Sequence, residues 1–195
     1  MNILELFAGT CSIGKYCEQL GFNVVALDND PKSNVTIRMD IMEWDYTEYP
    51  PGYFDIIWAS PPCTEYSTML VRRARRMEEA DVLVQRVLEI IGYFEPRVWL
   101  IENPKTGFLK TREFMLGLPY VDVSYCKYGF DYRKHTRIWT NMVPTTKPMY
   151  CRGDCNKMRD GRHIGLVSKT RSLSQKHSIP QPLVKWIIDE AVESL

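Results

Sequence analysis

The sequence predicts an α/β fold, a mostly parallel sheet with helices on both faces. Three observations carry this expectation. Short apolar runs of strand length recur along the chain, several of them end in an acid or a small-residue turn, and segments with helical apolar spacing lie between and after them. In sheets of this kind ligands bind outside the carboxyl ends of the strands, so the strand-end residues are the first candidates for function.

Residues 2 to 7 read as a buried strand. Ala8-Gly9-Thr10-Cys11-Ser12-Ile13-Gly14 follows as a small-residue turn into a helix ending near Gly21, where a ligand can approach backbone N–H groups. The next strand, Asn23 to Leu27, ends in Asp28, an acid well placed for a ribose hydroxyl pair. A cap or turn role before Pro31 is the structural alternative for Asp28. A third unit, Val35 to Met39, ends in Asp40-Ile41, where a carboxylate can accept from an exocyclic amine while the isoleucine packs on a ring.

The run Phe54 to Ala59 is a fourth strand, stopped by Pro61-Pro62 because neither proline can donate to a sheet ladder. Cys63 therefore sits on a stiff turn just past a strand end, a placement that suits a nucleophile meeting its target at close range. The alternative is a proline turn carrying a buried, inert cysteine. Four arginines at 72, 73, 75 and 76 come next, either a solvated helix start or a grip on phosphates. Apolar residues at 84, 87, 88, 91 and 94 predict an amphipathic helix over Glu78 to Phe94.

Arg97 to Ile101 is a further strand, with Glu102-Asn103-Pro104 at its end on the same edge as Cys63. Val121 to Asn141 reads as two strands around Tyr128-Gly129, including the basic stretch Arg133-Lys134-His135-Thr136-Arg137. Residues 142 to 178, rich in Pro, Gly and basic residues, read as a long loop, and Pro182 to Leu195 closes the fold as a helix.

Composition limits the alternatives. The 195 residues are 45% hydrophobic and 25% charged, ordinary for a globular protein, and the net charge of +1 gives too weak a global field to announce a nucleic-acid partner. No run approaches the ~18 apolar residues of a membrane span, and Glu5 breaks the N-terminal apolar run at once, unlike a signal peptide. Six cysteines are expected to be reduced, which points to an intracellular protein of cytoplasm or nucleus.

Taken together, Phe7-Ala8-Gly9, Asp28, Asp40-Ile41, Pro61-Pro62-Cys63, Glu102-Asn103 and Arg137 resemble, in order and rough spacing, the cytosine carbon-5 DNA methyltransferases. The compact chain is similar to the small forms carried by large DNA viruses and phages. The Pro-Pro-Cys and Glu-Asn-Pro pair is the specific part. The resemblance implies the Rossmann-like class I S-adenosylmethionine-dependent methyltransferase fold and that cofactor. Phe7, Ala8, Gly9, Thr10, Cys11 and Ser12 would wall it, Asp28 and Asn29 would meet its ribose, and Asp40 and Ile41 its adenine. Pro62 would touch it, as would Ser178 and Ile179 in His177-Ser178-Ile179-Pro180, which looks like the family's last motif.

The resemblance also assigns Cys63 as nucleophile, with Glu102 and Arg137 holding the target base. A thiolate adding at carbon 6 makes carbon 5 of cytosine nucleophilic enough to take a methyl group, and the buried base must first be flipped from the duplex. Double-stranded DNA is thus the expected partner, with no membrane and no obligate protein partner. A tRNA cytosine-5 methyltransferase, or a nucleic-acid-binding relative that has lost turnover, is the alternative.

Departures from the family pattern shape further expectations. Cys11 and Ser12 stand where the first motif usually carries glycine, and His177 stands where the last motif usually has asparagine. Residues 1–195 are expected to form a single methyltransferase domain, with 142–172 a minimal insert in place of a target-recognition domain. So short an insert predicts a short or relaxed recognition sequence. Within it Cys151, Cys155 and His163 form a Cys-x3-Cys…His cluster. Three ligands with loose spacing favour a metal-free loop over a zinc staple.

Overall fold

The structure, a computed structural model, describes residues 1–165 and 178–195. Seven strands form one sheet: β1 (Asn2–Leu6), β2 (Asn23–Asp28), β3 (Ile37–Arg38), β4 (Ile56–Ala59), β5 (Val98–Pro104), β6 (Tyr120–Ser124) and β7 (His135–Thr140). Their spatial order is β3-β2-β1-β4-β5-β7-β6. Pairings from β3 across to β5 are parallel, and only β7 runs against its neighbours. A separate hairpin joins β8 (Met158–Arg159) and β9 (Arg162–His163).

Strand side chains alternate between faces, so apolar runs without polar interruption require cover on both sides. Leu4, Leu6, Ile57 and Ile101 pack with Val84, Val87, Ile90 and Phe94 of helix α2 (Met77–Phe94). Ile3, Ile56 and Leu100, one residue out of phase, pack on the other face. There they meet Ile13 and Cys17 of helix α1 (Ser12–Gln19) and Leu183, Val184, Ile187 and Ile188 of helix α3 (Gln181–Glu193). Burying each of these aliphatic side chains stabilises the fold by about 1.5–3 kcal/mol before chain entropy is counted. Among the described residues no helix is long and apolar enough to cross a membrane.

Element ends follow local chemistry. Helix α1 stops just before Gly21, which takes the left-handed conformation at φ 78°. Helix α2 opens with Glu78 and Glu79 at its positive end and stops at left-handed Glu95 before Pro96. β3 is shorter than the run Val35 to Met39 suggests, because the Thr36 side chain intervenes: its Oγ1 accepts from Ala26 N at 3.2 Å. β5 is longer than expected and carries Glu102 and Asn103 inside its pairing with β7. Between β6 and β7 the chain passes through a 3-10 turn, Tyr125–Tyr128, rather than a tight hairpin.

Glu5 is a buried acid at the centre of β1, 2% exposed, and its two oxygens accept from Ile13 N (3.2 Å) and Gly14 N (2.8 Å) in the first turn of α1. Burial pushes its pKa up to about 7, and the two backbone donors only partly oppose that. A Cβ at Gly14 would lie 2.8 Å from Glu5 Oε2 and 3.1 Å from Val24 Cγ1. Gly→Ala inside a helix ordinarily stabilises by about 1 kcal/mol. Here the sign reverses: Gly14→Ala is expected to destabilise by about 1–3 kcal/mol through overpacking. Denaturant unfolding measures this, and a midpoint at or above wild type would contradict the packing described.

Candidate functional site

A cleft with about 330 Å³ of open space lies at the carboxyl edge of β1, β2 and β4, lined by Phe7, Leu27, Asp28, Asn29, Met39, Asp40, Ile41, Pro62 and Leu83. Six of these are residues expected from the sequence to hold a cofactor. Met39 and Leu83 add apolar wall that the strand-end argument does not reach, and only Leu83's place on α2, across the edge, brings it in. Asp28 crosses to the first loop, where its Oδ2 accepts from Gly9 N at 2.7 Å while its Oδ1 accepts from Asp30 N at 2.7 Å. Each oxygen keeps a second lone pair for a ligand hydroxyl. Asp40 Oδ1 accepts from Met42 N at 2.9 Å, leaving Oδ2 without a protein donor among the described residues.

The first loop is tightly coiled. Phe7, Gly9 and Cys11 all adopt left-handed backbone, at φ 56°, 51° and 53°. Cys11, at the start of α1, thus occupies a conformation that glycine takes at no steric cost; a non-glycine residue there costs about 1–2 kcal/mol. Its sulfur donates to Asn34 O at 3.2 Å, so the side chain is held inward rather than presented to the cleft. Ser12 bonds Thr10 Oγ1 at 2.8 Å and accepts from Ile179 N at 3.3 Å. Ile179 is thereby brought onto the loop. His177 lies outside the described residues.

Cys63 follows buried Pro61 and is itself half-buried. Asn103, fully buried at the end of β5, donates from Nδ2 to Pro61 O at 3.0 Å and so ties the cysteine turn to the neighbouring strand. Beyond it the loop is anchored by Tyr66, whose hydroxyl donates to Asp81 Oδ1 at 2.9 Å, and Arg112 Nε grips the same carboxylate at 3.0 Å. Glu102 is 6% exposed; its Oε1 accepts from the Tyr125 hydroxyl at 3.3 Å and pairs with Lys134 Nζ at 3.3 Å. Lys134 also lies over the Tyr125 ring, 4.6 Å from its centroid.

The charges of this cluster act on the thiol. Burial pushes the Cys63 thiol up, Lys134 opposes the rise and Glu102 adds to it. Burial alone would depress Lys134, but Glu102, Tyr125 and Cys63 outweigh it and hold the ammonium above its ordinary range. Lys134 and Tyr125 were not among the residues expected from the sequence. Their signal, a lysine within a basic stretch and a tyrosine within the same predicted pair of strands, is common to any basic hairpin.

The structure does not bring Arg137 to this cluster. Register places it opposite Asn103 and Asp122, whereas Glu102 stands opposite Ile138, so Arg137 and Glu102 leave the sheet from opposite faces. Arg137 instead bonds Asp122 twice, Nε–Oδ1 at 2.9 Å and Nη2–Oδ2 at 3.1 Å, and stacks 3.4 Å over Tyr120. The arginine run after Cys63 is also largely committed. Arg73 pairs with Glu65 through Nη1–Oε2 at 2.9 Å, Arg76 N donates to the same oxygen, and Arg75 donates to Ser67 O. Within the insert, Cys151, Cys155 and His163 do converge, and Cys126 joins them from the turn after β6.

Comparison with known proteins bears on family and fold. Residues 1–113 match the family described as C-5 cytosine-specific DNA methylase. The chain is 39% identical over 220 aligned residues to the "Probable DNA (cytosine-5)-methyltransferase" of Frog virus 3 (isolate Goorha), covering 97% of this chain and 99% of that protein. Its fold is similar to the crystal structure of a DNA modification methyltransferase encoded within an E. coli prophage (TM-score 0.52, 18% identity, 72% of this chain and 46% of that one). It is also similar to that of the S. pombe Dnmt2 methyltransferase (TM-score 0.53, 14% identity, 72% and 49%). The chain spans about half the length of both solved structures.

If Lys134 holds down the Cys63 thiol, Lys134→Gln should move the midpoint of Cys63 alkylation to higher pH. Peptide-resolved mass spectrometry of iodoacetamide labelling across neutral to alkaline pH reads this directly. A midpoint that stays put or falls would remove Lys134 from the thiol's environment.

Proposed function

The chain belongs to the C-5 cytosine-specific DNA methylase family, and from that premise we propose that it methylates carbon 5 of cytosine in double-stranded DNA, through a covalent adduct on Cys63 with S-adenosylmethionine as methyl donor. One observation carries the reading: Cys63 lies on the turn between the Asp28–Asp40–Pro62 cleft and the Glu102–Lys134–Tyr125 cluster. A nucleophile between a cleft lined by acids and apolar side chains and a buried carboxyl group is the arrangement that methyl transfer to an unreactive ring carbon needs.

The cleft suits an adenosine. Asp28 offers free lone pairs to a ribose diol, Asp40 Oδ2 offers an acceptor to an exocyclic amine, and Phe7, Ile41 and Leu83 offer apolar walls. The bound cofactor supplies an electrophilic methyl group. Cys63 Sγ, as thiolate, adds to carbon 6 of the base and so loads electron density onto carbon 5. Glu102, entering the step as the carboxylic acid, donates from Oε2 to ring nitrogen 3 and passes its proton there as the thiolate adds, while Tyr125 and Lys134 hold its Oε1. Lys134 acts as a positioning residue, taking in this cluster the cationic place that the family pattern would give to Arg137. After transfer a base removes the carbon-5 proton and the sulfur leaves.

The duplex must yield its cytosine, at a cost of a few kcal/mol. The described part of the 142–172 insert carries only the β8–β9 hairpin as regular structure, so it can make few base contacts. This supports a single catalytic domain with a short or relaxed recognition sequence.

Incubation with labelled S-adenosylmethionine and either duplex DNA or tRNA, followed by base-resolution mapping of methylated cytosine, tests substrate and reaction together. Label on DNA cytosine carbon 5 is expected; label confined to tRNA, or none, would overturn the reading. Cys63→Ser should abolish transfer while leaving cofactor binding nearly intact. Glu102→Gln should lower turnover by about 10²–10⁴ with the fold preserved, and unchanged kinetics would remove Glu102 from the site.

A further inference from the structure

We propose that Cys126, Cys151, Cys155 and His163 form a structural zinc site that staples the 142–165 segment to the wall of the Glu102 cluster. The inference stands on side chains outside the Cys63 site and holds whatever reaction that site performs. The three sulfurs and the His163 ring nitrogen all lie within 4.8 Å of one another, with Cys155 Sγ to His163 Nε2 at 3.2 Å and Cys151 Sγ to His163 Nε2 at 3.5 Å. A tetrahedral zinc with bonds of ~2.3 Å to sulfur and ~2.0 Å to nitrogen requires ligand separations of roughly 3.5–3.8 Å. The cluster therefore encloses the space of one ion and is too small for a multi-iron cluster.

The fourth ligand is what the sequence hides. Cys126 stands far from the Cys-x3-Cys pair along the chain, and the 3-10 turn Tyr125–Tyr128 carries it to them. Cys151 and Cys155 flank a turn in which Gly153, at φ 92°, donates its N–H to Cys151 Sγ at 3.4 Å. An N–H aimed at a sulfur stabilises a thiolate. His163 comes from the β8–β9 hairpin, where it pairs with Met158, and the left-handed Asp160-Gly161 turn closes that hairpin. Lys127, beside Cys126, pairs with Asp154 at 3.0 Å and closes the two ligand turns on each other.

A staple is needed here because the segment has almost no core of its own. Past Met142, which packs into the sheet face, its buried apolar residues are Cys151 and Cys155, which cluster with Cys126 from outside the segment and with Met158, while Val143, Met149 and Ile164 are exposed. Three soft thiolates and one imidazole select zinc over hard cations, and a closed four-ligand set is that of a structural rather than a catalytic ion. On binding, each thiol loses its proton to solvent as its sulfur pair forms the Zn–S bond. Three protons leave per ion and no oxidation state changes. The staple also reaches the active cluster. Cys126 directly follows Tyr125, which donates to Glu102, and Cys151 N donates to Ser124 Oγ at 3.0 Å.

The full-length reduced protein, expressed with zinc present, should carry one zinc per chain by elemental mass spectrometry. Cobalt added to the stripped protein should give the visible bands of a tetrahedral thiolate site. Cys126→Ser should lose stoichiometric zinc, whereas Cys17→Ala, a core cysteine outside the cluster, should keep it. Should Cys126→Ser fail to fold, the wild-type protein still decides: chelation should release the ion and open residues 142–165 to protease. Substoichiometric zinc in the reduced wild-type protein, zinc retained by a folded Cys126→Ser, or protease resistance unchanged by chelation would each overturn the proposal.

Discussion

Parallel pairing is the constraint on which the site depends. Because β1, β2, β3, β4 and β5 run in one direction, every one of their carboxyl ends emerges on the same edge. The register is close to flush: Leu6 lies beside Leu27 and Ala59, and Ala59 beside Ile101. The residues that follow, Phe7, Asp28, Ser60 and Glu102, therefore fall in one row. Residues separated by up to 95 positions in sequence become neighbours without any long loop. Two hydrogen bonds then lock the row laterally, Asp28 to Gly9 and Asn103 to Pro61.

Much of this row can be read from the chain itself, since an apolar run of strand length followed by an acid, a proline or a glycine reports both a strand and its exit. That is why Phe7, Asp28, Asp40, Pro62, Cys63 and Glu102 all lie along the carboxyl edge of the parallel strands. What is not legible depends on register between strands remote in sequence. Nothing local tells that Arg137 is paired with Asn103 rather than with Glu102, yet that single step decides which face its guanidinium leaves from. Cys126 is hidden for a related reason: no motif spacing links it to Cys151, and only the path of the chain around β6 and β7 brings it near.

The two cationic positions illustrate how the fold distributes chemistry. Arg137 on β7 is consumed by Asp122 and the Tyr120 ring, a planar fork matched to a carboxylate and an aromatic face. Lys134 directly precedes β7, where its carbonyl accepts from Tyr125 N at 3.0 Å and so sets it beside Tyr125. A compact ammonium on a flexible stem can sit between a carboxylate and a thiol without the fixed geometry a guanidinium demands. The buried Glu102–Lys134 pair is weak evidence for stability, because desolvating both groups offsets their attraction. Its effect lies in holding a positive charge that opposes the rise of the Cys63 thiol.

The bond from Ile179 N to Ser12 Oγ, and that from the Tyr16 hydroxyl to Asp189 Oδ1 at 3.2 Å, imply an order of events during synthesis. One face of the sheet is covered by α1 and α3 together, and α3 begins only at Gln181, long after β1 and its partners β2 and β4 are complete at Ala59. Until then Ile3, Ile56, Trp58 and Leu100 have no complete cover, and the first loop lacks its Ile179 brace. A nascent chain long enough to display the whole Cys63 turn is thus still an open sheet on this face, and closing it waits on α3.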